Sequence, residues 1–330
     1  MMGTERPQRI NIGYSELLLP VFFPSVSSVK AAMLPLHYAE LLSSLTAING
    51  QFLISAFDIW QASAEDKEKF LGLLGKARDN GAVVLMDSGN YESYWKNAMG
   101  DWTQSDYHEV LGRPYCSFAF GFDEQFPPFD IQAHAKLIVE RWMRDQAAAV
   151  EQPIIPIVHG AAPDLPELVL RVAEATDVPM IAVPERRLGN GIFERAKAVG
   201  AIRQALNGAG KYVALHLLGT GNPISIAVYA MSGADSFDGL EWCQTVVDHE
   251  TALLHHLTQA DFFRGQTGWG DADLSFQACT LAHNLEFYMD WMRRLRSAVQ
   301  SGRSVAFCRA NFPARIFSQC SAEFGWESIS

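Results

Sequence analysis

Four stretches of the chain share one design, an apolar run that closes on or beside an acid. They are LMDSGNY around Asp87, FGFDEQ around Asp123 and Glu124, AVPER around Glu185, and SFDG around Asp238. A carboxylate at the end of an apolar run costs stability unless it is hydrogen-bonded or functional. Any one of them could simply cap the helix that follows. Four such ends on one rim favour chemistry. Carboxylates around a common cavity suit reaction at an anomeric carbon. One attacks as nucleophile and forms a covalent glycosyl intermediate, while another, its pKa raised, moves the proton of the leaving or entering group. Two more run ends carry His159 in IPIVHG and Gly219 in LLGTGNP, and Tyr91 offers an aromatic face for a ring. The residues reach glycosyl transfer or hydrolysis without naming a substrate.

These ends must be held by the elements between them. Eight short, apolar, β-branched runs read as strands: Leu17–Phe23, Phe52–Phe57, Ala82–Met86, Ser117–Phe122, Ile154–Val158, Val178–Val183, Tyr212–Leu218 and Asp235–Phe237. Continuous apolar runs fit strands buried on both faces, as in a parallel sheet. Between them, Val29–Leu45, Glu65–Arg78, Ile131–Ala149, Leu165–Ala175, Gly191–Leu206 and Pro223–Met231 can form amphipathic helices. Asn222 before Pro223 is a good helix start. Eight strands alternating with helices predict a (β/α)8 TIM barrel with its active site at the C-terminal strand ends. A doubly wound open sheet fits the same pattern. No repeat, low-complexity stretch or flexible linker divides the chain. We therefore expect a barrel over residues 1–250 and, over 251–330, a C-terminal helical extension built on Leu281–Val299.

Composition narrows the class. The chain has 330 residues, a net charge of −11, 48% hydrophobic and 19% charged residues, which excludes disorder, collagen and coiled coil. A whole-surface nucleic-acid binder would be basic, so any such contact needs a local patch, such as Arg186–Arg187 or Arg293–Arg294–Arg296. Met1–Glu16 is polar, so no secretory leader is expected. The longest uncharged run, Tyr212–Ala234, is interrupted by glycines and a proline and does not read as a membrane span. Five scattered cysteines point to free thiols and a cytoplasmic location.

In order along the chain, several stretches resemble the tRNA-guanine transglycosylase family. PVFFPSVSSVK (Pro20–Lys30) resembles its first strand and turn, and MDSGNYES its D-S-G-G-[FY]-Q loop. FDEQ resembles F-D-E-C, PIVHG resembles G-I-V-Q-G, and IAVPE resembles L-[AS]-V-G-E. LLGTGNPISIAVYAMSGADSFD is similar to L-M-G-[VI]-G-x-P…G-[VA]-D-x-F-D. LAHNLEFYMDWMRRLRSAVQSGR resembles the H-N-L-x-[FY]-Y helix, and FPARIF matches the stretch behind it. Any one motif is weak, whereas the whole series in order over roughly Leu18–Phe317 is strong. The resemblance implies that Asp238 is the nucleophile attacking ribose C1′ and Asp87 the acid/base for the departing and entering bases. It implies that Asp123, with Ser88, reads the purine edge, and that Tyr91 and Leu218 sandwich the base. Gly219 falls on the close-approach glycine, and His159 on the base-contacting glutamine.

The departures from the family carry equal weight. Asn90 stands for its second glycine and Glu92 for the glutamine after the aromatic. The P-T-R-x-[AG]-R stretch, associated with tRNA handling, is replaced by GLEWCQTVVDHE. No C-x-C-x-x-C cluster precedes His283, so no metal is expected. Cys243 and Cys279 form no established spacing with His283, and His255–His256 read as scaffold. Trp95 and Trp242 fall near the site, whereas Trp60, Trp142 and Trp291 read as helix packing. Together these point to the DpdA-type paralogues that insert 7-deazaguanines into DNA. The expected partners are DNA before tRNA, a free 7-deazapurine base, a protein that opens the duplex and a second copy of the chain, with no cofactor. The alternatives are action on tRNA or a small nucleoside, a non-catalytic accessory paralogue, and an unrelated barrel glycosidase.

Overall fold

The computed structural model describes residues 6–29, 32–45, 50–98, 100–124 and 127–326. Lys30 and Gln125, which belong to two of the motifs above, lie outside the described residues, as does the start of Met1–Glu16. Twelve strands are present among those described: β1 (Arg9–Ile12), β2 (Ser15–Leu18), β3 (Val21–Pro24), β4 (Gln51–Ser55), β5 (Val83–Asp87), β6 (Phe118–Phe120), β7 (Ile154–Ile155), β8 (Met180–Pro184), β9 (Ala214–Leu218), β10 (Ser236–Gly239), β11 (Thr245–Val247) and β12 (Leu254–His256). The fold is mixed α/β with two four-stranded parallel sheets, ordered β3-β10-β9-β8 and β4-β5-β6-β7. Isolated parallel bridges link Ser25 to Leu53 and Ile157 to Ala182, one at each junction of the two sheets.

Alternation along each strand explains why the runs are apolar throughout. Successive side chains point to opposite faces, and both faces are covered. Phe23, Leu53, Leu85, Phe120, Ile155 and Ala182 belong to one buried cluster drawn from both sheets. Their neighbours Phe22, Phe52, Val84, Ala119, Ile181 and Leu217 pack in a second cluster with the helices. The hairpin of β1 and β2 adds Ile12 and Leu17 to the first cluster.

Register brings the strand ends level. Ser55 pairs with Asp87, Pro184 with Leu218, and Asp238 with Phe23. Local signals set several helix starts. Asn222 Oδ1 accepts from the backbone N–H groups of Ile224 and Ser225 at 3.1 and 3.2 Å, as expected from its place before Pro223. Ser63, Thr103 and Asp130 cap the helices Ala64–Asp79, Gln104–Leu111 and Ile131–Ala148 in the same way.

The structure corrects several predicted boundaries. Leu17–Phe23 is two strands, because its first half pairs in the hairpin and its second joins the parallel sheet. Phe52–Phe57 ends at Ser55, where the helix Ala56–Gln61 begins. The helix expected from Val29 starts at Pro35, a residue suited to a first turn. The C-terminal helix is longer than Leu281–Val299, running Phe276–Gln300, and Ser304–Asn311 and Ala314–Phe324 follow it. His255 and His256 sit on β12, opposite Val246 and Thr245 of β11. The long helix is tied to the elements before residue 250. Asn284 Nδ2 donates to the carbonyls of Trp242 and Thr245, and Tyr288 Oη donates to that of Gly221 at 2.6 Å. No helix among the described residues is long and apolar enough to cross a membrane.

Candidate active site

A cavity of about 410 Å3 opens at the C-terminal ends of the parallel strands. Asp238, Asp87, Ser88, Tyr91, Asp123, His159, Leu218 and Gly219 all line it. Eight residues from five strand ends thus share one wall, although they span 151 positions of sequence (238 − 87). Glu185, Arg186 and Glu241 line it too. Glu124 and Trp242 do not. Glu124 turns away to Arg141 on the helix Ile131–Ala148, at 2.7 Å. Trp242 is fully buried behind the wall and donates to the Ser25 carbonyl.

Asp238 is held from three sides. Its Oδ2 accepts from Ser25 Oγ at 2.8 Å, and its Oδ1 accepts from the Gly219 N–H at 3.1 Å and faces His216 Nε2 at 3.0 Å. The Ser236 hydroxyl lies 2.7 Å from the other ring nitrogen. His216 therefore donates through Nε2 when Ser236 donates to Nδ1. Gly219 reaches Asp238 from φ +76°, a left-handed conformation that favours glycine. Oδ2 keeps a lone pair for attack on a substrate carbon.

Asp123 is the opposite of an isolated acid. Ser88 Oγ donates to its Oδ1 at 2.9 Å, Asn90 Nδ2 to the same oxygen at 2.6 Å, and His159 Nε2 lies 2.5 Å from Oδ2. Arg187 Nε donates to His159 Nδ1 at 3.4 Å, so the ring's proton sits on Nε2 and points at Asp123. Burial pushes Asp123 up, but the bonds and charge from His159, with Asn90 and Ser88, outweigh it and hold the group at about 2. His159 is spent on Asp123, and only 1% of it is exposed.

Asp87 moves the other way. Burial, then the charges of Asp123 and Asp238, push its carboxyl up to about 7, against the N–H of Gly89 at 3.1 Å. Gly89 has φ +83° and lies so close to Phe57 that a Cβ there would sit 2.4 Å from the phenylalanine's own. Only glycine lets the loop after β5 fold down beside Asp87. Glu92, between Ser27 Oγ at 2.5 Å and Ser55 Oγ at 2.9 Å, is raised to about 8 by burial and then by Asp58 and Asp87. Glu241 is raised to about 7, chiefly by burial.

Sequence reading missed Ser25 and His216. The second left a signal, a histidine inside the apolar run of β9, where a buried polar group needs a partner. It also overvalued one basic patch. Arg294 is spent on Asp290 and Asn311, and Arg296 donates to the Pro20 carbonyl, so the Arg293–Arg296 face is largely consumed within the fold. Arg187 turns inward to His159, leaving Arg186 on the cavity rim.

The residues where the resembling family carries zinc do not fit that metal. His283 Nε2 lies 2.8 Å from the Val247 carbonyl and its ring packs 4.2 Å from that of His249. Cys279 Sγ contacts the carbonyls of Ala272 and Leu274, and Cys243 Sγ that of Leu240. All five cysteines are free and buried. Among the described residues, no three metal-binding side chains converge.

No protein-family model matches the chain. It is similar to the tRNA-guanine(15) transglycosylase of Haloferax volcanii, 26% identical over 308 residues, covering 86% of this chain and 57% of that protein. The chain thus spans a little over half the length of the curated relative it matches.

Proposed function

We propose that this chain is a base-exchange transglycosylase, a pentosyltransferase that replaces guanine with a 7-deazaguanine, preQ0-like base in DNA. The observation that carries the reading is the divergence of two acids in one cavity, Asp87 raised to about 7 and Asp123 held at about 2. Environments that push titratable groups apart assign an acid/base and a fixed anion. The similarity to a transglycosylase supports the same chemistry.

Asp238 Oδ2 attacks C1′ of the nucleotide as the C1′–N9 bond breaks and its electron pair passes to the base. Asp87 gives its proton to the departing guanine. The incoming base then loses its N9 proton to Asp87, its nitrogen attacks C1′, and the bond to Asp238 breaks. Asp123, ionised and so only an acceptor, selects the donor edge of the purine, with Ser88 and His159 fixing its rotamer. Tyr91 and Leu218 hold the base between them, and Gly219 lets the backbone approach it. No cofactor takes part.

DNA is favoured over tRNA because the family's arginine-bearing stretch, associated with tRNA handling, is replaced by GLEWCQTVVDHE. That lowers tRNA, and the DNA-directed paralogues inherit the weight. A second reading, exchange in tRNA, is favoured by the name of the similar protein, which acts on tRNA. The bridges at Ser25–Leu53 and Ile157–Ala182, with the cluster common to both sheets, support closure of the strands into a (β/α)8 barrel over residues 1–250, carrying 251–330 as a packed extension. We place it in the cytoplasm, acting as a homodimer with a partner that opens the duplex. The deciding experiment offers labelled guanine and labelled 7-deazaguanine to matched DNA and tRNA acceptors. Label in DNA supports the reading, label in tRNA alone replaces it with the second, and label in neither overturns both.

A further inference from the structure

Three aromatic rings climb from the cavity wall to solvent on the short helix Asn90–Trp95. Tyr91 lines the cavity, Trp95 meets it edge-on at 6.3 Å between ring centres, and Tyr94 meets Trp95 at 5.7 Å. The Trp95 side chain also acts on the Tyr91 hydroxyl, as the last and smallest of the influences on that group. The outer two are large and half-exposed, Tyr94 at 56% and Trp95 at 49%. None of the three stacks face to face on another, and the exposed half of the outer pair is the surface a ligand would meet. Arg186 stands on the same rim, close enough for its charge to act on Tyr91. An exposed aromatic pair beside a guanidinium is the arrangement that binds single strands, with bases stacking on rings and phosphates meeting the cation.

We propose that Tyr94 and Trp95 form a stacking platform for the nucleobase next to the exchanged nucleotide in a single-stranded or opened acceptor. This rests on the base-exchange reading, and it deepens that reading by naming what grips the strand outside the cavity. The platform is continuous with the wall that would hold the target base, so a neighbour displaced from its own stack meets Trp95 next. Stacking needs only a π-face, so the platform grips either neighbour without reading its identity.

The test measures anisotropy of a fluorophore-labelled single-stranded oligonucleotide with one guanine, in deoxy and ribo forms, against the full chain and its variants. Trp95→Ala and Tyr94→Ala should each weaken binding by about five- to a hundredfold, the range that base–aromatic stacking supports. Trp95→Phe keeps a ring and loses the indole N–H that acts on Tyr91, so it should retain most of the affinity. Abasic sites flanking the guanine should weaken binding to the unaltered protein as much and abolish the further loss from Trp95→Ala. Unchanged affinity in both alanine variants overturns the platform, as does no binding by the unaltered protein. So does a Trp95→Phe loss as large as that of Trp95→Ala, because Trp95 would then act through Tyr91. Exchange assays are scored separately. Binding contrasts without incorporation uphold the platform and defeat the base-exchange reading, and incorporation without binding contrasts does the reverse.

Discussion

His216 and Asp238 face each other at 3.0 Å across neighbouring strands, the ring buried completely and the carboxylate open to the cavity. The imidazole sits beneath the acid and fixes its rotamer, with Ser236 holding the far side of the ring. His216 is thus a positioning residue. His216→Phe should preserve the fold by circular dichroism and lower kcat by about a hundredfold, the penalty of a slightly misplaced reacting group. KM for the base should stay near its original value. A loss confined to KM would mean that His216 does not act on Asp238.

Asp238→Asn removes the attacking oxygen while leaving most of the hydrogen-bond geometry. Base exchange should fall by several orders of magnitude, as for any essential nucleophile. Trapping of a protein–nucleic acid adduct in denaturing gels should vanish with it. Retention of more than about a tenth of the activity would remove Asp238 from the role.

Asp87 and Asp123 should separate kinetically. Asp87→Ala should mainly lower kcat, because the proton transfer is lost, and Asp123→Ala should mainly raise KM for the base. Asp87, raised to about 7, should also leave an inflection near that pH in the kcat profile. Equal collapse of both parameters in both variants would reverse or erase these assignments.

Stability should depend on pH with a definite sign. Asp87, Glu92 and Glu241 are raised to about 7, 8 and 7 in the folded chain. The native state therefore binds more protons than the unfolded one between about pH 4 and 8, and these groups make stability fall as pH rises through that window. His249, pushed down to about 4 by burial and then by His283, acts oppositely, but only between about pH 4 and 6.5. Above that, the carboxyls set the slope. The buried thiols of Cys116, Cys243 and Cys308, pushed up to about 12, add to it in the same direction as pH nears the ordinary thiol range. Melting temperature should decline from about pH 6.5 to 8.5, and Glu92→Gln should flatten the decline. Parallel curves for the two proteins would show that Glu92 is ionised in the folded state.

The chain should fold without zinc, since His283 and Cys279 are engaged by backbone carbonyls. Metal analysis of purified protein should find none bound stoichiometrically, and a chelator should leave the melting temperature unchanged. One tightly held zinc per chain, lost on Cys279→Ser or His283→Ala, would overturn this.

By itself the sequence determined the alternation of buried strands and helices, and it marked eight of the residues that line the cavity. Both are short-range properties. An apolar run with an acid at its end needs only its own residues to be legible, as Met86 and Asp87 illustrate, and the Asn222–Pro223 start is local chemistry. Tertiary structure decided everything that depends on a distant neighbour. Ser25 meets Asp238 across 213 positions. His159 became the holder of Asp123 only because Arg187 came to its far side. Glu124, beside Asp123 in sequence, left the site because Arg141 lay within reach on the next helix. The split of Leu17–Phe23 depended on which partner strand each half found. The same holds for protonation. Asp87 and Asp123 are the same residue type, and only burial and the company of other groups drive one up to about 7 and the other down to about 2.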